Sequence, residues 1–121
     1  MSAIAHPTPA QAAGGDAEDS AARFLERHGL QVVGRNYRTR LGEIDLIARD
    51  AAVLVFVEVR LRRSARYGGA LESITARKRQ RIAAAARQYL LRFRRVPACR
   101  FDVVCLDGEA PLWIRGAFEL G

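Results

Sequence analysis

Two short segments about a dozen residues apart carry acid inside otherwise apolar, strand-forming runs: Gly42-Glu43-Ile44-Asp45-Leu46-Ile47 and Phe56-Val57-Glu58-Val59-Arg60. An unpaired carboxylate in such a run must either take up a proton or bear a heavy desolvation penalty. The simplest reason to place Asp45 and Glu58 together in a sheet is a divalent cation. Alternation along the second run puts Glu58 and Arg60 on one face, about 6.6 Å apart at the usual strand rise. If the two runs form a hairpin, Asp45 can lie across from Glu58. Two carboxylates so close repel each other unless a cation joins them. Mg²⁺ suits the pair, since it takes a few carboxylates together with waters and phosphate oxygens. Such a metal beside a basic side chain is the equipment of phosphodiester hydrolysis.

Several elements must hold these residues in place. Residues 16–28 read as a helix, with Asp16 able to cap it and Gly29 to stop it. Ala21, Phe24, Leu25 and His28 make its apolar stripe, and Glu18, seven residues before Leu25, falls on that stripe. The helix dipole alone favours an acid near an N-terminus, and a contribution to the acid site is the alternative. Residues 30–37 read as a first strand, and Gly42 marks a turn. In the next strand Ile44, Leu46 and Ala48 are expected on one face, with Glu43, Asp45 and Ile47 on the other. Residues 49–52 form a hairpin connection. Residues 53–60 then make the strongest strand, with Val53, Val55, Val57 and Val59 on one face and Leu54, Phe56, Glu58 and Arg60 on the other. Two apolar faces are the mark of a central strand covered on both sides.

A loop over residues 61–74 leaves directly from this strand and holds Arg62, Arg63, Arg66, Tyr67 and Gly68-Gly69. Thr75 can cap a following helix that runs to about Phe93. Ile82, Ala85, Ala86, Tyr89, Leu90 and Phe93 form its packing face, while Arg77, Lys78, Arg79 and Arg81 mostly lie outside it. Pro97 follows as a breaker. Strands are expected at residues 101–106 and 112–118, with Asp107-Gly108 as the turn between them. Tyr89 reads as core and Trp113 as packing at a sheet edge. Asp102 beside Arg100 reads as a structural ion pair.

Composition bounds the rest. The chain has 121 residues, half of them apolar, which suits one small α/β or α+β domain. Residues 1–14 read as a flexible tail and 15–121 as a single domain. No apolar run approaches the roughly 18 residues of a membrane span, and the N-terminal segment lacks the pattern of a signal peptide, so a cytoplasmic location is expected. Cys99 and Cys105 have no further zinc ligands beside them and read as two thiols rather than a disulfide. Net charge is +7, and from Arg60 to Arg100 there are thirteen basic residues against one acid, Glu72. Twelve of the thirteen are arginine, and the remainder of the chain is net acidic. A basic half beside an acidic cluster points to nucleic acid on one side and a metal on the other. The rival reading is a solvated helix surface in a chain biased towards arginine.

The order Glu18, Gly42-Glu43-Ile44-Asp45, Phe56-Val57-Glu58-Val59-Arg60 and Arg100-Phe101-Asp102-Val103-Val104, with Asn36-Tyr37-Arg38 before Gly42, resembles the YraN-like family of small bacterial proteins. That family is similar to the archaeal Holliday-junction resolvases. The resemblance implies an α/β, restriction-endonuclease-like (resolvase-like) three-layer fold, with a central mixed sheet of about five strands flanked by helices. It implies a Mg²⁺- or Mn²⁺-dependent endonuclease acting on branched or structured DNA, or a nucleic-acid-binding protein that keeps the fold without the cleavage. Asp45 and Glu58 correspond to the two signature acids, and Glu18 to the helix acid. These three are the expected metal ligands, with the Val59 backbone also lining the site. Arg60 stands where the nuclease superfamily usually has lysine, and can supply positive charge but is a poor proton acceptor. Arg62 matches a second basic residue. Arg62, Arg63, Arg66, Arg77, Lys78 and Arg81 are the expected DNA contacts. A homodimer is implied by the resolvase likeness, because two symmetric cuts suit a twofold axis.

Overall fold

The computed structural model describes residues 9–61, 74–106 and 110–119, with side chains from residue 15 onward. The element order is α1 (Pro9–Arg27), β1 (Gln31–Arg38), β2 (Glu43–Asp50), β3 (Val53–Arg60), α2 (Ala76–Leu90), β4 (Cys99–Cys105) and β5 (Leu112–Phe118). The strands form one sheet in the order β1-β2-β3-β4-β5. Only β3 and β4 run parallel, joined through α2, and the other three pairings are antiparallel. This is the expected α/β fold, a mixed five-stranded sheet between helical layers, consistent with the restriction-endonuclease-like architecture.

Each face of the sheet has its own core. On one, Ile47, Leu54, Phe56, Phe101 and Val103 pack against Ile82, Ala85, Ala86 and Tyr89 of α2. On the other, Leu46, Ala48, Val55, Val57 and Val104 pack against Ala21, Ala22 and Leu25 of α1. Strand β3 is buried on both faces, as its uninterrupted apolar pattern predicts. Tyr89 belongs to the core, with its ring edge-on to Tyr37 and Phe56 and capped by the Arg92 guanidinium at 3.8 Å.

The expected alternation in β2 fails at Asp45. Ile44 joins Ile47 in the α2-side core, while Leu46 and Ala48 lie in the α1-side core. A strict period of two would place Ile44 and Leu46 together. The backbone pairing of β2 with β3 runs from Asp50↔Val53 to Leu46↔Val57. At Asp45 the side chain takes over, and its Oδ2 accepts the Val59 N–H at 2.9 Å.

The helix ends follow local chemistry. Helix α1 begins at Pro9 rather than at an Asp16 cap, so residues 9–14, expected in a tail, are helical. Proline suits the first turn, and the alanines behind it are strong helix formers. The helix stops in a Schellman arrangement: Gly29, at φ 93°, donates to the Glu26 carbonyl, and Leu30 donates to Leu25. Helix α2 starts at Thr75, whose Oγ1 accepts the Lys78 N–H at 3.1 Å. Its helical hydrogen bonding stops at Leu90 instead of Phe93, because Leu91, Arg92 and Phe93 donate three residues back and tighten the last turn. Gly42 does more than turn the chain. A Cβ there would lie 2.1 Å from the Arg81 carbonyl oxygen, so the absent side chain lets α2 approach β2. The Asp107-Gly108 turn lies outside the described residues.

Candidate active site

Glu58 and Asp45 come from the ends of β3 and β2 that open away from the hairpin turn. Glu58 lies at the C-terminal end of β3, where the parallel β3–β4 pair leaves the core. Crevices at the carboxyl ends of parallel strands are the usual ligand sites of open α/β sheets. A pocket of about 240 Å³ sits here, lined by Glu18 from α1, Asp45 from β2, Glu58, Val59 and Arg60 from β3, and Lys78 from α2. Four elements thus converge on one cavity.

The charges in the pocket are unevenly balanced. Glu58 is 5% exposed, and its Oε2 receives Arg60 Nη1 at 3.1 Å and Lys78 Nζ at 3.2 Å. Asp45 has the Val59 N–H as its hydrogen-bond donor. Its carboxyl is pushed up to about 7, first by burial and then by the neighbouring Glu58 charge, with Glu18 adding to it against the Val59 hydrogen bond. Burial is also the main reason that Glu18 lies above the ordinary glutamate range; Glu43 adds to the rise, while the hydrogen bond to Asn36 and the charges of Arg35 and Arg38 oppose it. A buried acid flanked by two other acids is a position where added positive charge is favourable.

The expected residues divide clearly. Glu18, Asp45, Glu58, Val59 and Arg60 meet at the pocket. Lys78, expected only as a backbone contact to DNA, also enters it. Arg77 and Arg81 are exposed on the first turns of α2. Arg62, Arg63 and Arg66 lie outside the described residues. Glu43, expected on the same face as Asp45, pairs with Arg38 at 3.5 Å on the surface. Among the described residues no group of three or more His, Cys, Asp or Glu side chains stands ready to hold a metal. Glu58 already carries two cations, Arg60 and Lys78.

Asp102 is the structural acid that the Arg100 pairing suggested. It is fully buried, and both its oxygens are held by the Arg100 fork at 2.8 and 2.9 Å. Trp113 Nε1 and the Gly116 N–H complete its shell at 2.9 and 3.0 Å. Arg100 reaches on to Asp50 at 3.0 Å. Trp113 thus sits on edge strand β5 with its N–H turned inward. Cys99 and Cys105 form no disulfide. No described helix is long and apolar enough to cross a membrane.

Comparison with known proteins agrees with the motif order. The model of the uncharacterised protein family UPF0102 matches residues 17–106. A UPF0102 protein of Dechloromonas aromatica is 59% identical over 108 residues, covering 89% of each chain. One from Ralstonia pickettii is 53% identical over 118 residues, covering 93% of this chain and 94% of its own. One from Methylibium petroleiphilum is 49% identical over 116 residues, with coverage of 90% and 95%. On these matches the chain belongs to the UPF0102 family, bacterial proteins related to the restriction-endonuclease-like superfamily.

Proposed function

We propose that this protein is a metal-dependent endonuclease that hydrolyses phosphodiester bonds in branched or structured DNA. The observation that carries the reading is the convergence of Glu18, Asp45 and Glu58 with Arg60 and Lys78 on one pocket at the end of β3. A second observation supports it. The first turn of α2 has no acid, yet Arg77, Lys78 and Arg79 follow its cap. Cations at a helix N-terminus oppose the helix dipole. Lys78 answers this in part by pairing with Glu58, and an arriving anion such as the phosphate backbone would answer the rest.

The donor set fits a metal brought in with its substrate better than one held in a protein cage. Mg²⁺ commonly uses one or two carboxylates and fills its other positions with water and phosphate oxygens. Asp45 and Glu58 would hold it, with Glu18 and the Val59 backbone at the rim. When bound, Mg²⁺ or Mn²⁺ supplies Lewis-acid polarisation of the phosphate and offsets the mutual repulsion of the acids. The chain's own residues do the rest. Asp45 is oriented by the Val59 N–H, Glu58 is oriented by Arg60, and the arginines of α2 hold the flanking backbone. A homodimer would place two such sites for paired cuts across a junction.

The test is a cleavage panel of linear, single-stranded, flapped and four-way DNA with Mg²⁺, Mn²⁺ or EDTA. Metal-dependent cutting that disappears in Asp45→Ala and Glu58→Ala is the expected result. Binding without cutting at any metal concentration overturns the reading. One feature favours that second outcome, a DNA-binding protein without cleavage: Arg60 and Lys78 both pair with Glu58.

A further inference from the structure

Of the twenty basic side chains in this protein nineteen are arginine, and the one lysine is Lys78. That single lysine stands in the acid pocket. Its backbone is fixed by the Thr75 cap, which sets the third residue of α2 over the end of β3. Its Nζ lies 3.2 Å from Glu58 Oε2, the same oxygen that Arg60 Nη1 approaches at 3.1 Å. Glu58 is thus shared by two cations. Exposure separates the two. The Arg60 side chain is 18% exposed and that of Lys78 is 42%, which puts the ammonium on the open side where a ligand would enter. A compact ammonium on a four-carbon stem can pivot from Glu58 to a phosphate oxygen, whereas a planar guanidinium is committed to its fork geometry.

We propose that Lys78 is a catalytic residue. Its ammonium contacts the phosphate being cut and stabilises the charge that develops on its oxygens. It acts from α2, beside Arg60 of β3 on the same carboxylate oxygen. This assignment rests on the nuclease reading. In the step, a water oxygen bonds to phosphorus as the bond to the leaving ester oxygen breaks. One water proton passes to solvent, and the leaving oxygen takes a proton from solvent, giving a phosphomonoester and a hydroxyl. Lys78 keeps its protons throughout and acts by charge and hydrogen bonding.

The test combines kinetics with a metal-free signal. Lys78→Met is expected to lower kcat about 100-fold or more, as loss of a transition-state donor does. Its DNA affinity should change less than about threefold, since one of many phosphate contacts is lost. Adding Arg60→Lys to Lys78→Met should recover about tenfold of the rate by returning an ammonium to the strand position. Protein labelled with ¹³C,¹⁵N-lysine gives one lysine side-chain signal, and in EDTA that signal should shift when a DNA duplex is added. Cutting retained in Lys78→Met while Asp45→Ala is inactive overturns the Lys78 assignment and leaves the nuclease reading standing. A lysine signal unmoved at saturating DNA also overturns it. A wild-type protein that cuts nothing overturns both.

Discussion

Replacing Asp45 by asparagine should make the folded protein more stable at pH 8 and no more stable at pH 4. Asparagine keeps the size of the side chain and an oxygen to accept the Val59 N–H, which Asp45 now takes at 2.9 Å. It removes only the charge. The Asp45 carboxyl is raised from 3.8 to about 7 by burial and by the charges of Glu58 and Glu18. Between those two values the folded chain holds a proton that the unfolded chain has lost, so stability falls as pH rises through this window. The penalty is absent below about pH 4 and fully present above about pH 7. A shift of about 3 units at about 1.4 kcal/mol each amounts to about 4 kcal/mol. The pocket is open on one side and solvent screens part of the repulsion, so the expected gain is about 2–4 kcal/mol, or on the order of 10 °C in Tm for a domain of this size. Urea unfolding of both proteins at pH 4, 6 and 8 measures it. The gap should open steadily with pH. A gap that is constant across this range, or an Asp45→Asn protein less stable at pH 8, refutes the electrostatic account of the pocket.

Three further substitutions probe how the site is positioned. Gly42→Ala would place a methyl group 2.1 Å from the Arg81 carbonyl oxygen, a backbone atom that no rotamer change can move. The expected loss in thermal or urea unfolding is about 3 kcal/mol, at the upper end for overpacking. Asp102→Ala leaves the Arg100 guanidinium and the Trp113 N–H without their shared acceptor. Urea unfolding should show a loss of about 3–5 kcal/mol, as for other broken buried pairs. Ala51, in the β2–β3 turn, has φ 54°, a region costly to any residue with a side chain. Ala51→Gly should raise stability by about 1 kcal/mol, read as an increase in Tm with no change in DNA binding.

What the residue pattern discloses differs from element to element. Strand β3 is legible because Val53-Leu54-Val55-Phe56-Val57 is apolar on both faces, and no exposed strand needs that. The Glu58–Arg60 pairing follows from period two along the same strand. Helix α2 is legible from its alanine-rich stripe and the Thr75 cap. The broken alternation at Asp45 is not legible, because it arises where β2 leaves β3 and a side chain replaces a backbone partner. Gly42 looks like any turn glycine, and its contact partner is nearly forty positions away. Lys78 is legible as the one lysine among nineteen arginines and as an expected DNA contact. Its nearness to Glu58 depends on how the β3–α2–β4 crossover folds back over the strand end, which no local pattern encodes.

Asp45 and Asp102 show how a working acid can be told from a structural one when both lie inside the same sheet. Asp102 is fully buried, and every contact it makes in the described structure is a donor: both arms of Arg100, the indole N–H of Trp113 and the amide of Gly116. It sits where the β4–β5 register slips between Phe101 and Val103, and its oxygens collect the N–H of Gly116 across that slip. Such a carboxylate has nothing left to offer a ligand, and its charge is already answered. Asp45 interrupts a ladder in the same way and also takes one backbone N–H, but its other neighbours are Glu58 and Glu18. The fold therefore tolerates a repulsion at Asp45 that it has removed at Asp102. A sheet able to satisfy one buried aspartate so completely has no packing reason to leave the other in conflict. A proton held by Asp45 relieves the conflict up to about pH 7, and in the proposed hydrolysis a cation arriving from outside would relieve it in the proton's place.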